Sequence, residues 1–326
     1  MHYRNKKVLI VGDTGVDIIV HYPKFLNKER TNVEYKTPVL VGGGTAANTA
    51  VSLQKLDINT SFLGTIGDDQ YGKYVVSDFI KEGIDIDNLI IDEKVNTVGV
   101  FAFIDEFGER YLWGWPRTEQ GYKKLDLEKI NYDNILNSSW IHSSGMIMVD
   151  DTSSRYGIIE IFKKAYEAGI TTSFDLNLRV NNGQLDEGYK QSVLELLKYC
   201  NYILGSGEEE FYFLNPQENW VDSAKSFVTD TRTVIARMGS KGSMAITTKD
   251  VIVEDSYPVK VCDTVGAGDV YNGGFIAARL MDKDLRESIK LGNAVAAYTV
   301  AREGARSSPT MKEVEKFLKQ YEGEEH

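Results

Sequence analysis

Asp263-Thr264-Val265-Gly266-Ala267-Gly268-Asp269 concentrates the most chemistry in the fewest residues, and a small-residue helical pattern, Val270 to Leu280, follows it. Glycine–alanine–glycine at a helix start leaves backbone N–H groups unobstructed. The helix dipole adds partial positive charge there, and both features favour a phosphate. An isolated Asp in a first helical turn ordinarily complements that dipole. Beside an anion-binding loop it would repel the ligand, so Asp269 needs another role. A general base that takes a proton from an attacking hydroxyl supplies one.

Two other glycine segments are weaker. Gly42-x-Gly44-x-x-Ala47 matches a dinucleotide fingerprint but does not directly follow the first strand. It leaves a dehydrogenase as a remote alternative, testable by nicotinamide binding. Gly67 to Lys73 matches G-x-x-x-x-G-K, but Tyr74 follows where Mg²⁺ chemistry needs a hydroxyl of Ser or Thr, and Asp68 and Asp69 would repel phosphates. It is rejected as a P-loop.

These residues need a scaffold. Strand-like runs at Val8–Val11, Ser61–Ile66, Trp140–Ser143, Thr171–Leu176, Tyr202–Leu204 and Thr233–Ala236 alternate with helical patterns. The helical patterns fall at Ala46–Leu56, Tyr71–Lys81, Tyr156–Ala168, Tyr189–Tyr199, Glu208–Leu214 and Leu291–Ala301. This alternation predicts an α/β fold, a mainly parallel sheet covered by helices on both faces. Asp17 to Pro38 reads as a polar, aromatic-dotted excursion. Thr97–Trp115 reads as two strands joined by a turn at Asp105–Gly108, rich in Phe, Tyr and Trp. Thr31–Thr37 alternates polar and apolar residues, and with Thr97–Trp115 it predicts a small antiparallel sheet, either a plain hairpin or a lid over a ligand. With six prolines and no low-complexity seam, 1–326 reads as one domain, with lid segments at about 17–38 and 97–117.

Composition narrows the function. The net charge of −11 disfavours nucleic acid as a main partner. Cys200 and Cys262 form no C-x-x-C pair, and four histidines show no metal-ligand spacing. No long apolar stretch predicts a membrane span or a signal peptide. The chain reads as a cytoplasmic, reduced protein without a membrane partner.

Asp263-Thr264-x-Gly266-Ala267-Gly268-Asp269 with Gly273-Gly274-Phe275 resembles the C-terminal signature of the ribokinase-like (PfkB) carbohydrate kinases. Gly43-Gly44-Thr45-Ala46-Ala47-Asn48, Gly64 to Gly72 and Glu82-Gly83-Ile84-Asp85 resemble the N-terminal one. The match runs from about residue 6 to residue 319. It implies a ribokinase-like three-layer α/β/α core with a mostly parallel sheet plus a small β-sheet lid. It also implies transfer of the ATP γ-phosphoryl group to a hydroxyl of a sugar or related alcohol. Asp269 falls on the family's catalytic base, and Gly266, Ala267 and Gly268 on its anion hole. Asp17, Gly43, Gly44 and Asn48 match acceptor-binding positions, with Gly42–Gly44 as the lid hinge. Arg237, Gly239, Lys241, Gly242, Thr264 and Asn293 fall near the nucleotide. Glu210 falls on the residue tied to Mg²⁺, although Gly207 stands where an Asn is usual; a second alignment pairs Ser206 with Glu209. Asp263, Val265, Thr299, Arg302, Gly304 and Ser308 match a K⁺ site.

The acceptor is less defined. Asp175-x-Asn177-x-Arg179 resembles fructokinase-like and ketodeoxygluconate-kinase-like members, and Arg179, Arg110 and Arg117 are candidate contacts for an anionic group. Thr45 replaces the lysine of the phosphosugar kinases' glycine loop, which leans the reading towards a neutral sugar. A nucleoside kinase and a catalytically weak sugar- or nucleotide-binding protein remain alternatives. The resemblance further implies a homodimer joined through the lid.

Overall fold

The structure is a computed structural model that describes residues 6–22, 36–107, 109–114 and 119–322. β1 (Lys7–Val11) runs almost directly into β2 (Gly15–His21), and β3 (Val39–Gly43) leads into α1 (Thr45–Lys55). Next come β4 (Asn59–Gly67), α2 (Gln70–Glu82), β5 (Leu89–Asp92) and the hairpin β6 (Val98–Ile104) and β7 (Arg110–Gly114). The middle of the chain alternates: α3 (Tyr132–Leu136), β8 (Trp140–Ser144), α4 (Ser153–Glu167), β9 (Thr171–Asp175), α5 (Glu187–Leu197) and β10 (Tyr202–Ser206). α6 (Phe211–Leu214), α7 (Trp220–Lys225), β11 (Thr233–Arg237), β12 (Ser243–Ile246) and β13 (Val251–Glu254) precede the closing helices α8 (Ala267–Leu280), α9 (Leu285–Val300) and α10 (Met311–Glu322).

Nine strands form one sheet in the order β13-β12-β11-β10-β9-β8-β1-β4-β5. From β5 to β11 every pairing is parallel, and β12 and β13 add an antiparallel edge. β1 shows why both faces must be covered. Val8 and Ile10 enter one buried cluster with α1, α2, α8 and α9, whereas Leu9 and Val11 enter the other with α4 and α5. Strand alternation divides four consecutive apolar residues between two layers. The predicted three-layer core is therefore present. Among the described residues no helix is long and apolar enough to cross a membrane.

The second sheet is β3-β2-β6-β7, with β2 antiparallel to β3 and parallel to β6. The predicted hairpin of 97–115 is β6 and β7, although Gly108 and Trp115 lie outside the described residues. The excursion from Asp17 to Pro38 differs from its prediction. Its first residues belong to β2, Gly15 pairs with Gly43, and positions 23–35 lie outside the described residues. Two helices also differ. The one expected from Glu208 begins only at Phe211, because Glu208–Glu210 form a turn. The one expected from Leu291 begins at Leu285, where Asp284 and Glu287 make a reciprocal capping box.

Candidate active site

Asp69, one of the two acids that argued against a P-loop, has a structural job. Its carboxylate accepts from Tyr71 N at 3.0 Å and Gly72 N at 2.8 Å and so caps α2. Asp13 does the same for α1 from outside the helix. It accepts from Thr45 N at 2.8 Å, Thr45 Oγ1 at 2.6 Å and Ala46 N at 3.2 Å. Such a cap is worth about 0.5–2 kcal/mol, and this one also fixes Asn48 one turn further on.

α8 opens at Gly266, whose φ of 76° is left-handed. Glycine is the residue that adopts it without strain, and a Cβ there would stand 2.4 Å from that of Ala305. Asp269 follows in the first turn, only 7% exposed. Asn48 Nδ2 donates to Asp269 Oδ2 at 2.8 Å, and Thr49 Oγ1 donates to the Asp269 carbonyl at 3.0 Å. Burial pushes the Asp269 carboxyl up to about 8; the Asn48 hydrogen bond and Arg237 oppose this, and Asp175 and Asp13 reinforce it. Asn48 Oδ1 is buried with no hydrogen-bond partner among the described residues. The structure thus brings the expected base and one expected acceptor ligand into direct contact.

Two cavities meet here. The smaller, about 460 Å³, is lined by Asp13, Asp17, Gly44, Thr45, Asn48, Asp175, Arg179, Glu209, Glu210, Val265, Gly266 and Asp269, among others. The larger, about 690 Å³, takes Gly239, Gly242, Tyr257, Pro258, Val259, Val261, Ala296, Val300 and Asn293. Thr264, Ala267, Gly268, Arg237, Ser206 and Glu209 line both. The anion loop is the wall between them. Gly43 stands behind Asp17, where a Cβ would lie 2.8 Å from Asp17 Oδ1. Burial raises the Asp17 carboxyl above its usual range, and Arg306 and Arg110 oppose that.

Several expected nucleotide and metal residues have other commitments. The Arg237 guanidinium holds Asp175 Oδ1 at 2.7 Å, Asn272 Oδ1 at 2.7 Å and the Gly268 carbonyl at 3.2 Å. Asn272 completes the ring by donating to Asp175 Oδ2 at 2.9 Å. Burial works against the Arg237 charge, but Asp175 and Glu210 hold it above its usual range. Lys241 lines neither cavity and pairs with Glu208 at 3.1 Å. Asn293 lines the larger cavity and donates its amide to the Glu254 and Asp255 carbonyls, both at 3.1 Å.

Glu210 accepts from Leu178 N and Ser206 N, both at 2.6 Å, and burial raises its carboxyl to about 7. It braces the strand ends of β9 and β10. Glu209 is exposed and is the carboxylate of this turn that lines both cavities, Glu208 lining the larger and Glu210 the smaller. A Cβ on Gly207 would lie 2.7 Å from the Trp220 ring, so an indole occupies the space an Asn would need.

The expected cation residues lie on two segments, 263–265 before α8 and 299–308 at and after the end of α9, joined through Asp263 and Gly304. Asp263 Oδ1 accepts from Val265 N at 3.0 Å, and Oδ2 accepts from Gly304 N at 2.9 Å. Arg302 N donates to the Thr299 carbonyl at 2.9 Å. Ser308 Oγ is buried with no hydrogen-bond partner among the described residues. Among the described residues Arg179 hydrogen-bonds only its neighbour Asn177, through that residue's carbonyl and amide oxygens. Arg117 lies outside the described residues. The apolar wall of the larger cavity from Tyr257 to Val261 was not singled out in the sequence; its two separated valines and one aromatic carry no motif.

A mostly parallel α/β/α core, a separate four-stranded lid and an anion loop dividing two cavities define a phosphotransferase of the sugar-kinase kind. Residues 5–311 match the model of the pfkB family carbohydrate kinases, and the chain belongs to that family. It is 31% identical over 312 residues to an ATP-dependent ribose-1-phosphate kinase of Halopiger xanaduensis, covering 96% of this chain and 98% of that one. It is 27% identical to a fructokinase of Vibrio alginolyticus, covering 96% and 99% of the two chains. Among solved structures, a putative ribokinase II of E. coli in complex with ATP and Mg²⁺ superposes with a TM-score of 0.84, at 21% identity over 97% of this chain and 99% of that one. The protein is a carbohydrate kinase.

Proposed function

We propose that the larger cavity binds ATP, the smaller binds a sugar or sugar-like alcohol, and Asp269 is the base. The observation that carries this is the anion loop lining both cavities with Asp269 at its end. The acceptor hydroxyl gives its proton to Asp269. Its oxygen bonds the γ-phosphorus, the β–γ bridging bond breaks, and ADP leaves. Asn48 orients Asp269 through Nδ2 and offers Oδ1 to a second acceptor hydroxyl, alongside Asp17. Backbone N–H groups of Gly266, Ala267 and Gly268 stabilise charge on the moving phosphoryl group. Tyr257, Val259 and Val261 supply an apolar wall for the base of the nucleotide.

Mg²⁺ bound with ATP neutralises the phosphates. Glu209, which lines both cavities, is the carboxylate that would help hold the ion beside the nucleotide phosphates. The buried Ser308 Oγ, without a hydrogen-bond partner among the described residues, supports a K⁺ site, although Asp263 already carries Arg110. The exposed side of β7, with Tyr111, Leu112 and Trp113, suits a homodimer through the lid.

A second acceptor reading has its own support. Arg179 lines the acceptor cavity and pairs with no carboxylate among the described residues, which favours a sugar acid or sugar phosphate over a neutral sugar. The test of the base is Asp269→Ala. Phosphoryl transfer is expected to fall by about 10²–10⁴ while ATP binding by calorimetry survives. Near-normal turnover would contradict the assignment.

A further inference from the structure

Asp263 and the turn after α9 together hold the lid to the core at three points. From β7, Arg110 Nη2 reaches Asp263 Oδ2 at 3.1 Å; the two side chains are only 18% and 13% exposed. From the end of β2, His21 Nε2 lies 3.4 Å from Glu303 Oε1. On β3, the Gly42 carbonyl accepts from Arg306 Nε at 3.2 Å. Glu303 and Arg306 belong to the turn after α9, and so does Gly304, whose N–H is also on Asp263 Oδ2.

Asp263 is where these contacts converge on the chemistry. Its other oxygen fixes Val265 N, the residue before Gly266. Ala305, next to Gly304, packs directly against Gly266. The carboxylate therefore sets the entry of the anion loop, and the only side-chain cation on it among the described residues comes from the lid. Arg110 also lies close enough to Asp17 to favour its ionised form. One guanidinium thus lies between the acceptor-binding carboxylate and the root of the anion loop.

We propose that Arg110 is a positioning residue that latches the lid to Asp263, so that seating the lid over the acceptor and aligning the anion-loop donors are one event. A misplaced donor is costly because stabilisation of the moving phosphoryl group depends on placement. A guanidinium suits the role because it holds carboxylate geometry while covering apolar surface with its stem. The inference rests on the two-cavity reading above for its kinetic consequences, but the latch itself is a contact that can be measured without any acceptor.

The experiment compares the unaltered enzyme with Arg110→Gln, Arg110→Lys, Asp263→Asn and the Arg110→Gln/Asp263→Asn double variant. Hydrogen exchange is followed in residues 98–104 and 110–114 of the free proteins, and kcat and KM are measured for ATP and for the best acceptor. Arg110→Gln is expected to speed exchange in both lid strands. It should also lower kcat on the order of 10–100-fold with KM for ATP unchanged. Arg110→Lys, which keeps the charge, is expected to recover part of both. The double variant is expected to be no worse than Asp263→Asn alone, the signature of a shared interaction. Additive losses with unchanged lid exchange would overturn the latch. So would a rise in acceptor KM with kcat retained, which would make Arg110 a direct acceptor ligand. A failure of the kinase reading shows itself separately, as no transfer by the unaltered enzyme, and leaves the exchange result to decide the latch.

Discussion

Buried against Asn48 and near two other carboxylates, Asp269 has a folded-state pKa of about 8 against an ordinary value of 3.8. The folded chain holds a proton there that the unfolded chain releases. Stability from this group is therefore complete below the unfolded value and is lost as pH rises through about 8. Asp269→Asn removes the ionisation, so its melting temperature is expected to gain on the unaltered enzyme between pH 5 and pH 9. An unchanged gap would show that the site accommodates the charge. As a base it must be ionised, so kcat/KM is expected to climb with pH on a limb near 8. Gly207 makes a different point. Restoring the family's Asn would drive a side chain into Trp220. Gly207→Asn is expected to cost about 1–3 kcal/mol of stability, read by urea denaturation, with no gain in turnover. Asp269 and Asn48 were both legible as motif residues. The Trp220 contact was not, because it joins residues that only tertiary packing brings together.

At the scale of elements, the active end of the sheet is held by buried ionic groups rather than by apolar contact. Arg237 at the end of β11 ties Asp175 at the end of β9 to Asn272 and Gly268 on α8. The family resemblance puts Arg237 near the nucleotide; in the structure it lines both cavities and its donors are committed to the scaffold. Arg237→Met leaves Asp175 without its cation in a dry environment. It is expected to cost about 3–5 kcal/mol, measured by denaturant unfolding; a loss below 1 kcal/mol would mean that water or Asn272 compensates. The parallel core strands and α8 were legible because buried runs and small-residue helices carry strong patterns. β2 and β3 were not. Asp17 and the glycines interrupt their apolar runs, and each is recognisable as a strand only through its partner.

For the molecule as a whole, the lid is the element with two claims on it. Its outer strand β7 leaves Tyr111, Leu112 and Trp113 about half exposed or more, and among the described residues it is the edge of its sheet, where backbone groups are open to pairing. Sedimentation velocity is expected to find a dimer that Leu112→Glu converts to monomer; a monomeric unaltered protein would leave the aromatics to cover the acceptor alone. The central claim is that two cavities meet at one base, and it is tested most directly by ADP release from MgATP. The panel would hold neutral sugars, sugar acids, sugar phosphates and nucleosides, run in K⁺ and in Na⁺, with the unaltered enzyme and Asp269→Asn side by side. One sugar-class acceptor well above the ATPase background, lost in Asp269→Asn and faster in K⁺, is the expected result. Turnover of a nucleoside alone, or no acceptor-dependent ADP despite ATP binding, would contradict it.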